Sequence, residues 1–282
     1  MEEITCIEKI RSKMNELTTT ELKIAEYVLD NYEKVLTSNI SELSENANVS
    51  DASVVRFSRS LGYKGYQDFK INAAKDVLPK DKHFNPVLQK EDDEITICNK
   101  IFGSDINVLK NTLAGLEINK ISEVANMIAK ANKLVFFGSG GSVIVGRDAQ
   151  HKFLKIGIHA IVHEDVDMQL MSASLMKKGD LAFCISHSGS NYNLVKCMEI
   201  ASEKGARTVA LVSQGKTPLS KLADIAIFSV SEETMFKSES LSTRIAQLAI
   251  IDVLVAIIAM KNYDDSYLAI QETRKSTSQN KF

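Results

Sequence analysis

Six consecutive residues, Ser186-His187-Ser188-Gly189-Ser190-Asn191, put three hydroxyls, an imidazole and a carboxamide at the end of a short apolar run. Residues 181–185 ahead of them contain no polar break, as expected of a strand buried on both faces of a parallel sheet. An amphipathic stretch, 194–204, follows. A strand, a hydroxyl-rich turn and a helix together suit an anion. The helix start offers unpaired N–H groups and a partial positive charge, and the serines add O–H donors. Ser and Asn also cap ordinary helices, so spacing alone leaves both readings open. Two more apolar segments end in the same manner. Residues 133–137 run into Gly138-Ser139-Gly140-Gly141-Ser142, and 207–212 run into Ser213-Gln214-Gly215. The first of these is not a dinucleotide fingerprint, because Val143 stands three after Gly140 and Ile144 three after Gly141; nor is it a Walker loop, lacking G-K-[ST]. Two serine turns fit a phosphate held by hydroxyls and backbone amides, with no metal or cofactor needed. His151, His159 and His163 have no Cys or carboxylate pattern that completes a metal set. Whether His187 or Arg244 touches a ligand is open.

A second constellation is cationic. Residues 51–61 form a helical pattern with Val54, Phe57 and Leu61 on one face and Ser53, Arg56 and Ser60 on the other, Arg59 beside them. Ser50 is placed to cap it, Asn48-Val49-Ser50 is a tight turn, and Ser41 to Ala47 is a helix before that turn. Helix, short turn and helix is a DNA-reading arrangement, and a plain three-helix bundle with a solvated Arg/Ser face is its alternative. Residues 52–75 hold Arg56, Arg59, Lys64, Lys70 and Lys75 against one acid, Asp68, so a local positive patch exists although the formal net charge is −2. Arginine can take two acceptors on guanine, and serine reaches bases or phosphates.

The elements that must position these groups fall into two regions. Thr18 and Glu21 form a capping box for a helix over 17–30. Residues 79–89 are polar with two of the three prolines and read as a linker. Beyond it, 95–116 and 121–131 read as helices. Strands at 133–137, 159–162, 181–185, 207–212 and 225–230 then alternate with helices, the signature of a parallel sheet with helices on both faces. The expected fold is an all-α helix-turn-helix domain over 1–78, a linker and connecting helix over 79–104, and an α/β domain over 105–282. The chain's 282 residues suffice for two such domains, and 44% hydrophobic and 25% charged residues are globular values. The four cysteines include no C-x-x-C pair and read as reduced thiols, and the start of the chain carries no secretion signal, so a cytoplasmic protein is expected. Residues 245–260 are apolar except for Gln247 and Asp252; a buried core or subunit-interface helix is expected there, with no membrane span.

Two resemblances add to this reading. The stretch N-V-S-D-A-S-V-V-R-F-S-R-S-L-G-Y-K-G-Y-Q-D-F-K resembles the N-terminal domain of RpiR-type bacterial transcriptional regulators through its V-V-R-F core, L-G-Y and G-Y-x-x-F-K. Residues 105–260 resemble the SIS (sugar isomerase) phosphosugar-binding domain. The match lies in G-S-G-G-S, in I-S-H-S-G-S-N with Asn191 where threonine is usual, in T-P-L-S-K-L-A-D and in E-S-L-S-T-R-I-A-Q-L-A-I-I-D-V-L. The resemblance implies phosphosugar contacts from Ser139, Gly140, Ser142, Ser186, Ser188, Gly189 and Asn191, with Glu239 near the sugar. It implies DNA contacts from Ser50, Ser53, Arg56, Arg59, Ser60 and Lys64. The function expected is regulation of sugar-metabolism genes. A homodimer or homotetramer would bind a double-stranded operator under control of a phosphosugar effector. The rival is an aldose–ketose isomerase with an accessory helical domain, in which Glu239 is the base and His187 assists ring opening.

Overall fold

The structure, a computed structural model, describes residues 5–77, 88–213, 215–230 and 241–278. Over most of its length the chain separates into two compact units, divided between Ser104 and Asp105.

The first unit is helical: α1 Cys6–Lys13, α2 Thr19–Asp30, α3 Tyr32–Thr37, α4 Ile40–Asn46, α5 Asp51–Ser60 and α6 Tyr66–Val77. The capping box of Thr18 and Glu21 opens α2 as expected. A second box, Thr5 with Glu8, opens α1, and a third, Asn39 with Glu42, opens α4. Val54, Phe57 and Leu61 turn inward to a core shared with Ile24, Val28, Leu43 and Phe69. The turn between α4 and α5 passes through Asn48 in the left-handed region at φ 53°, a conformation asparagine tolerates better than most residues.

Asp51 fixes the angle of that turn. Its carboxylate accepts the Ser41 hydroxyl at 2.8 Å and the Ser44 hydroxyl on its other oxygen, joining the two helices. Both serines are buried, so their hydroxyls depend on this acceptor. Asp51→Ala is expected to lower stability by about 1–3 kcal/mol. The readout is a lower urea midpoint; an unchanged midpoint would mean that the serines re-pair at no cost.

The second unit takes in the C-terminal part of α7 Glu94–Gly115, then α8 Ile118–Lys130, β1 Leu134–Phe137, α9 Gly141–Lys155, β2 Ala160–Val162, α10 Val166–Ser174 and β3 Leu181–Ser186. It continues through α11 Tyr192–Glu203, β4 Arg207–Ser213, α12 Pro218–Leu222, β5 Ile225–Ser229, α13 Leu241–Lys261 and α14 Tyr263–Ser278. Every strand pair is parallel, and the order is β2-β1-β3-β4-β5. Alternate strand residues supply two cores. Leu134, Phe136, Phe183, Ile185 and Leu211 face α8, α9 and α13, where Phe136 packs on Phe153 and Phe183 with ring centroids 5.9 and 5.1 Å away. Val135, Phe137, Ala182, Cys184 and Val212 face α10, α11 and α12. Each large side chain so buried contributes roughly 1.5–3 kcal/mol. The apolar α13 is a core helix: Ala246, Ile250, Ile251, Leu254 and Ile258 are all buried against the sheet.

Candidate functional site

The first candidate surface is the start and outer face of α5. Ser50 caps the helix, its hydroxyl accepting the Ser53 N–H at 3.2 Å. Arg56, Arg59 and Lys64 are exposed, as are Ser50 and Ser60. Arg59 Nε donates to the Lys64 carbonyl at 3.4 Å, which draws the two cations to one end of the helix. Glu21 borders this face: its carboxyl is held below the usual range, first by the Thr18 N–H and hydroxyl, with smaller help from the Ser60 hydroxyl and the Arg56 guanidinium. One expectation needs correction. Ser53 is only 6% exposed, because its hydroxyl lies 2.9 Å from that of Ser50 and accepts from Arg56 Nη2 at 3.0 Å. It aims Arg56; it does not stand on the outer face. Lys70, counted in the basic patch, donates to the Ser38 carbonyl at 3.1 Å, and Tyr66 donates to the same carbonyl at 2.9 Å. The G-Y-x-x-F-K segment is therefore a brace within the helical unit.

The second candidate site follows from strand order. The chain proceeds from β1 to β2 in one direction and from β3 through β4 to β5 in the other. The direction changes between β1 and β3, and a parallel sheet of this order opens a crevice at that point, beyond the carboxyl ends of its strands. Both serine turns sit there. Residues 138–142 leave β1, and 187–191 leave β3, whose last paired residues Phe137 and Cys184 are partners in register. The helices they begin, α9 and α11, pack on opposite faces of the sheet, so two helix N-termini approach the crevice from two sides. Each carries a partial positive charge.

The turns are held rigidly. In the first, Gly140 caps α9 at φ 55°, which only glycine adopts freely. A side chain on Gly138 would lie 3.0 Å from the backbone of Ser142 and Val143. The Gly138 carbonyl accepts from Gln169 Nε2 at 2.9 Å. Ser139 is exposed and Ser142 half-buried. In the second turn, Ser186 is buried and its hydroxyl accepts the Gly189 N–H at 3.1 Å. The Ser190 N–H and hydroxyl donate to Ser188 Oγ at 3.4 and 3.2 Å. Asn191 caps α11, its Oδ1 taking the Leu194 N–H at 3.2 Å, which leaves its NH2 facing elsewhere. The Gly189 carbonyl accepts from Leu219 at the start of α12. His187 is half-buried, and its Nδ1 meets Ser213 Oγ at 2.8 Å, so the third polar strand end braces the second.

One residue left open by the sequence becomes legible. Arg244, in the first turn of α13, lays its guanidinium against Gly141 at the N-terminus of α9, with Cζ 3.2 Å from where a side chain on Gly141 would begin. A glycine is needed there because the arginine occupies the space. Helix termini, hydroxyls and a guanidinium together make an electropositive crevice of the kind that takes an oxyanion. Glu239 and Gln214 lie outside the described residues.

Comparison with known proteins agrees with both surfaces. Residues 4–80 match the family model described as helix-turn-helix domain, rpiR family, and residues 127–257 match that of the SIS domain. An HTH-type transcriptional regulator of Caldanaerobacter subterraneus subsp. tengcongensis is 36% identical over 272 residues, covering 96% of each protein. The Escherichia coli HTH-type transcriptional regulator HexR is 32% identical, covering 96% of this chain and 94% of its own. Among solved structures, the Vibrio vulnificus NanR protein complexed with ManNAc-6P superposes with a TM-score of 0.81 at 28% identity, covering 98% of both chains. A helix-turn-helix with an exposed arginine face, followed in sequence by a parallel sheet with paired serine turns, is thus shared along whole chains: this protein belongs to the rpiR family of HTH-type transcriptional regulators, with a SIS domain as its second part.

Proposed function

We propose that this regulator controls genes of sugar metabolism and that a phosphorylated sugar, bound at the β1/β3 crevice, modulates its hold on the operator. The observation that carries the reading is the convergence of both serine turns, two helix N-termini and the Arg244 guanidinium at one switch point. The V. vulnificus relative, solved with ManNAc-6P, supports a phosphosugar as the ligand class. Ser139, Gly140, Ser142, Ser186, Ser188, Gly189 and Asn191 surround the phosphate, with Glu239 toward the sugar. Ser50, Arg56, Arg59, Ser60 and Lys64 face DNA, and Ser53 acts through Arg56. The domains run 1–78 for the DNA-binding head, 79–104 for the connection and 105–282 for the sensor. The sensor binds without turnover, the protein is cytoplasmic, and two heads of a homo-oligomer read a palindromic operator.

A ligand can shift the operator equilibrium only by its differential affinity for two arrangements of the protein. The test is a melting-temperature screen over sugar phosphates, followed by operator titration with each hit. A ligand at about 100 times its Kd adds roughly 2.7 kcal/mol to the native state. A screen in which no phosphosugar raises the melting temperature, or one in which a hit is isomerised catalytically, would sink the proposal.

A further inference from the structure

Helix α7 carries an apolar stripe on the side away from its own packing. Ser104, Val108 and Thr112 are buried, and Thr112 Oγ1 accepts the Val230 N–H at the end of β5 at 3.0 Å. Ile95, Phe102, Ile106 and Leu113 are instead 72%, 70%, 48% and 67% exposed. At about 100° per residue these four fall within roughly 40° of one another, about 130° round the helix from the buried line. Their spacing is that of a heptad seam, with Ile95, Phe102 and Leu109 at one core position and Asn99, Ile106 and Leu113 at the other. Single exposed apolar residues are ordinary, whereas an aligned row of four on one helix is not.

The row is also symmetric. Ile95 and Leu113 stand equally far in sequence from Ser104, as do Phe102 and Ile106, and Asn99 and Leu109. An antiparallel second copy of the same helix therefore sets Ile95 of one against Leu113 of the other and Phe102 against Ile106, every layer satisfied by one two-fold axis. Self-complementarity of this kind is what an isologous dimer interface requires. Between Ile95 and Leu113 the core and flanking heptad positions carry only two charges, Asp105 and Lys110. Depletion of charge is the compositional mark of an interface core. The four side chains of two copies would remove about 1,000 Å2 from water, the lower bound for a specific interface.

We propose that α7 is a dimerisation helix that pairs antiparallel with α7 of a second copy of this chain about a two-fold axis near Gly103 and Ser104. The proposal goes beyond the sensor reading by naming the surface that brings two heads together. It needs neither sugar nor operator for its test. Asp105 meets its own mate beside the axis, which keeps the pairing moderate.

Two measurements on the full-length protein decide it. In sedimentation equilibrium without DNA or sugar, Phe102→Glu combined with Ile106→Glu should raise the dimer dissociation constant about 100-fold or more. Both side chains are exposed, so the melting temperature should hold. Separately, Gly103→Cys in a Cys98→Ser background should form an interchain disulfide on mild oxidation, since nothing lies within 4 Å of the new Cβ and the two copies meet there. Native Cys98, exposed but facing Thr112 of the other copy, should not cross-link. Unaltered association of the double variant, or cross-linking through Cys98 and not through position 103, overturns the proposal; should the double variant misfold, the disulfide result alone decides.

Discussion

Replacing Arg56 with alanine should cost this regulator its operator while leaving its sensor intact. Arg56 is exposed on the first helix after the turn, and Ser53 holds its guanidinium from below at 3.0 Å. A preset guanidinium loses less freedom on meeting a base than a loose one. A bidentate arginine–guanine contact is worth about 1–3 kcal/mol, and a two-headed complex would lose it twice. The operator Kd should therefore rise by about 100-fold or more in a gel-shift titration at fixed salt. Arg59→Ala and Lys64→Ala, which remove charge nearer the end of the helix, should weaken binding to all sequences and flatten its salt dependence. Ser53→Ala offers a sharper discrimination: it touches no DNA in this arrangement but frees Arg56, so a smaller loss is expected. Undiminished operator affinity in Arg56→Ala would remove α5 from the DNA interface.

The sensor should fail in the opposite sense. Ser186→Ala with Ser188→Ala removes two hydroxyls at the β3 turn. It also removes the acceptor that pins the Gly189 N–H. The loss of direct contacts and the loosening of the turn act together, and about 2–4 kcal/mol of phosphosugar binding should vanish, some 30- to 1,000-fold in Kd. Basal operator affinity should stay, because nothing on α5 has changed. The response to ligand should disappear, visible as an operator titration that no longer moves on adding the phosphosugar. A variant that still shifts its melting temperature as the parent does would show that the phosphate is held elsewhere.

Much of this was written locally in the chain. The Thr18–Glu21 box, the Ser50 cap, the inward Val54, Phe57 and Leu61, and all five strands are short-range patterns, and the structure bears them out. Periodicity and capping concern neighbours within about two turns of helix, so the sequence suffices for them. Helices α1, α3 and α6 were harder to see. Their apolar residues are few, and only the Thr5–Glu8 box announces α1.

Contacts far apart in sequence belong to the tertiary structure. That Ser53 turns inward depends on Ser50 and Arg56 sharing its hydroxyl. That Lys70 is a brace depends on a carbonyl 32 positions away. The place of Arg244 beside Gly141 depends on how α13 crosses α9. Above all, a list of strands does not say which lie side by side. The chain by itself determined that two polar turns follow two buried strands; only the sheet order, with β1 next to β3, brought them to one crevice. The reason is physical: a turn is made by residues that are neighbours along the backbone, whereas a binding site is made by residues that packing has made neighbours in space.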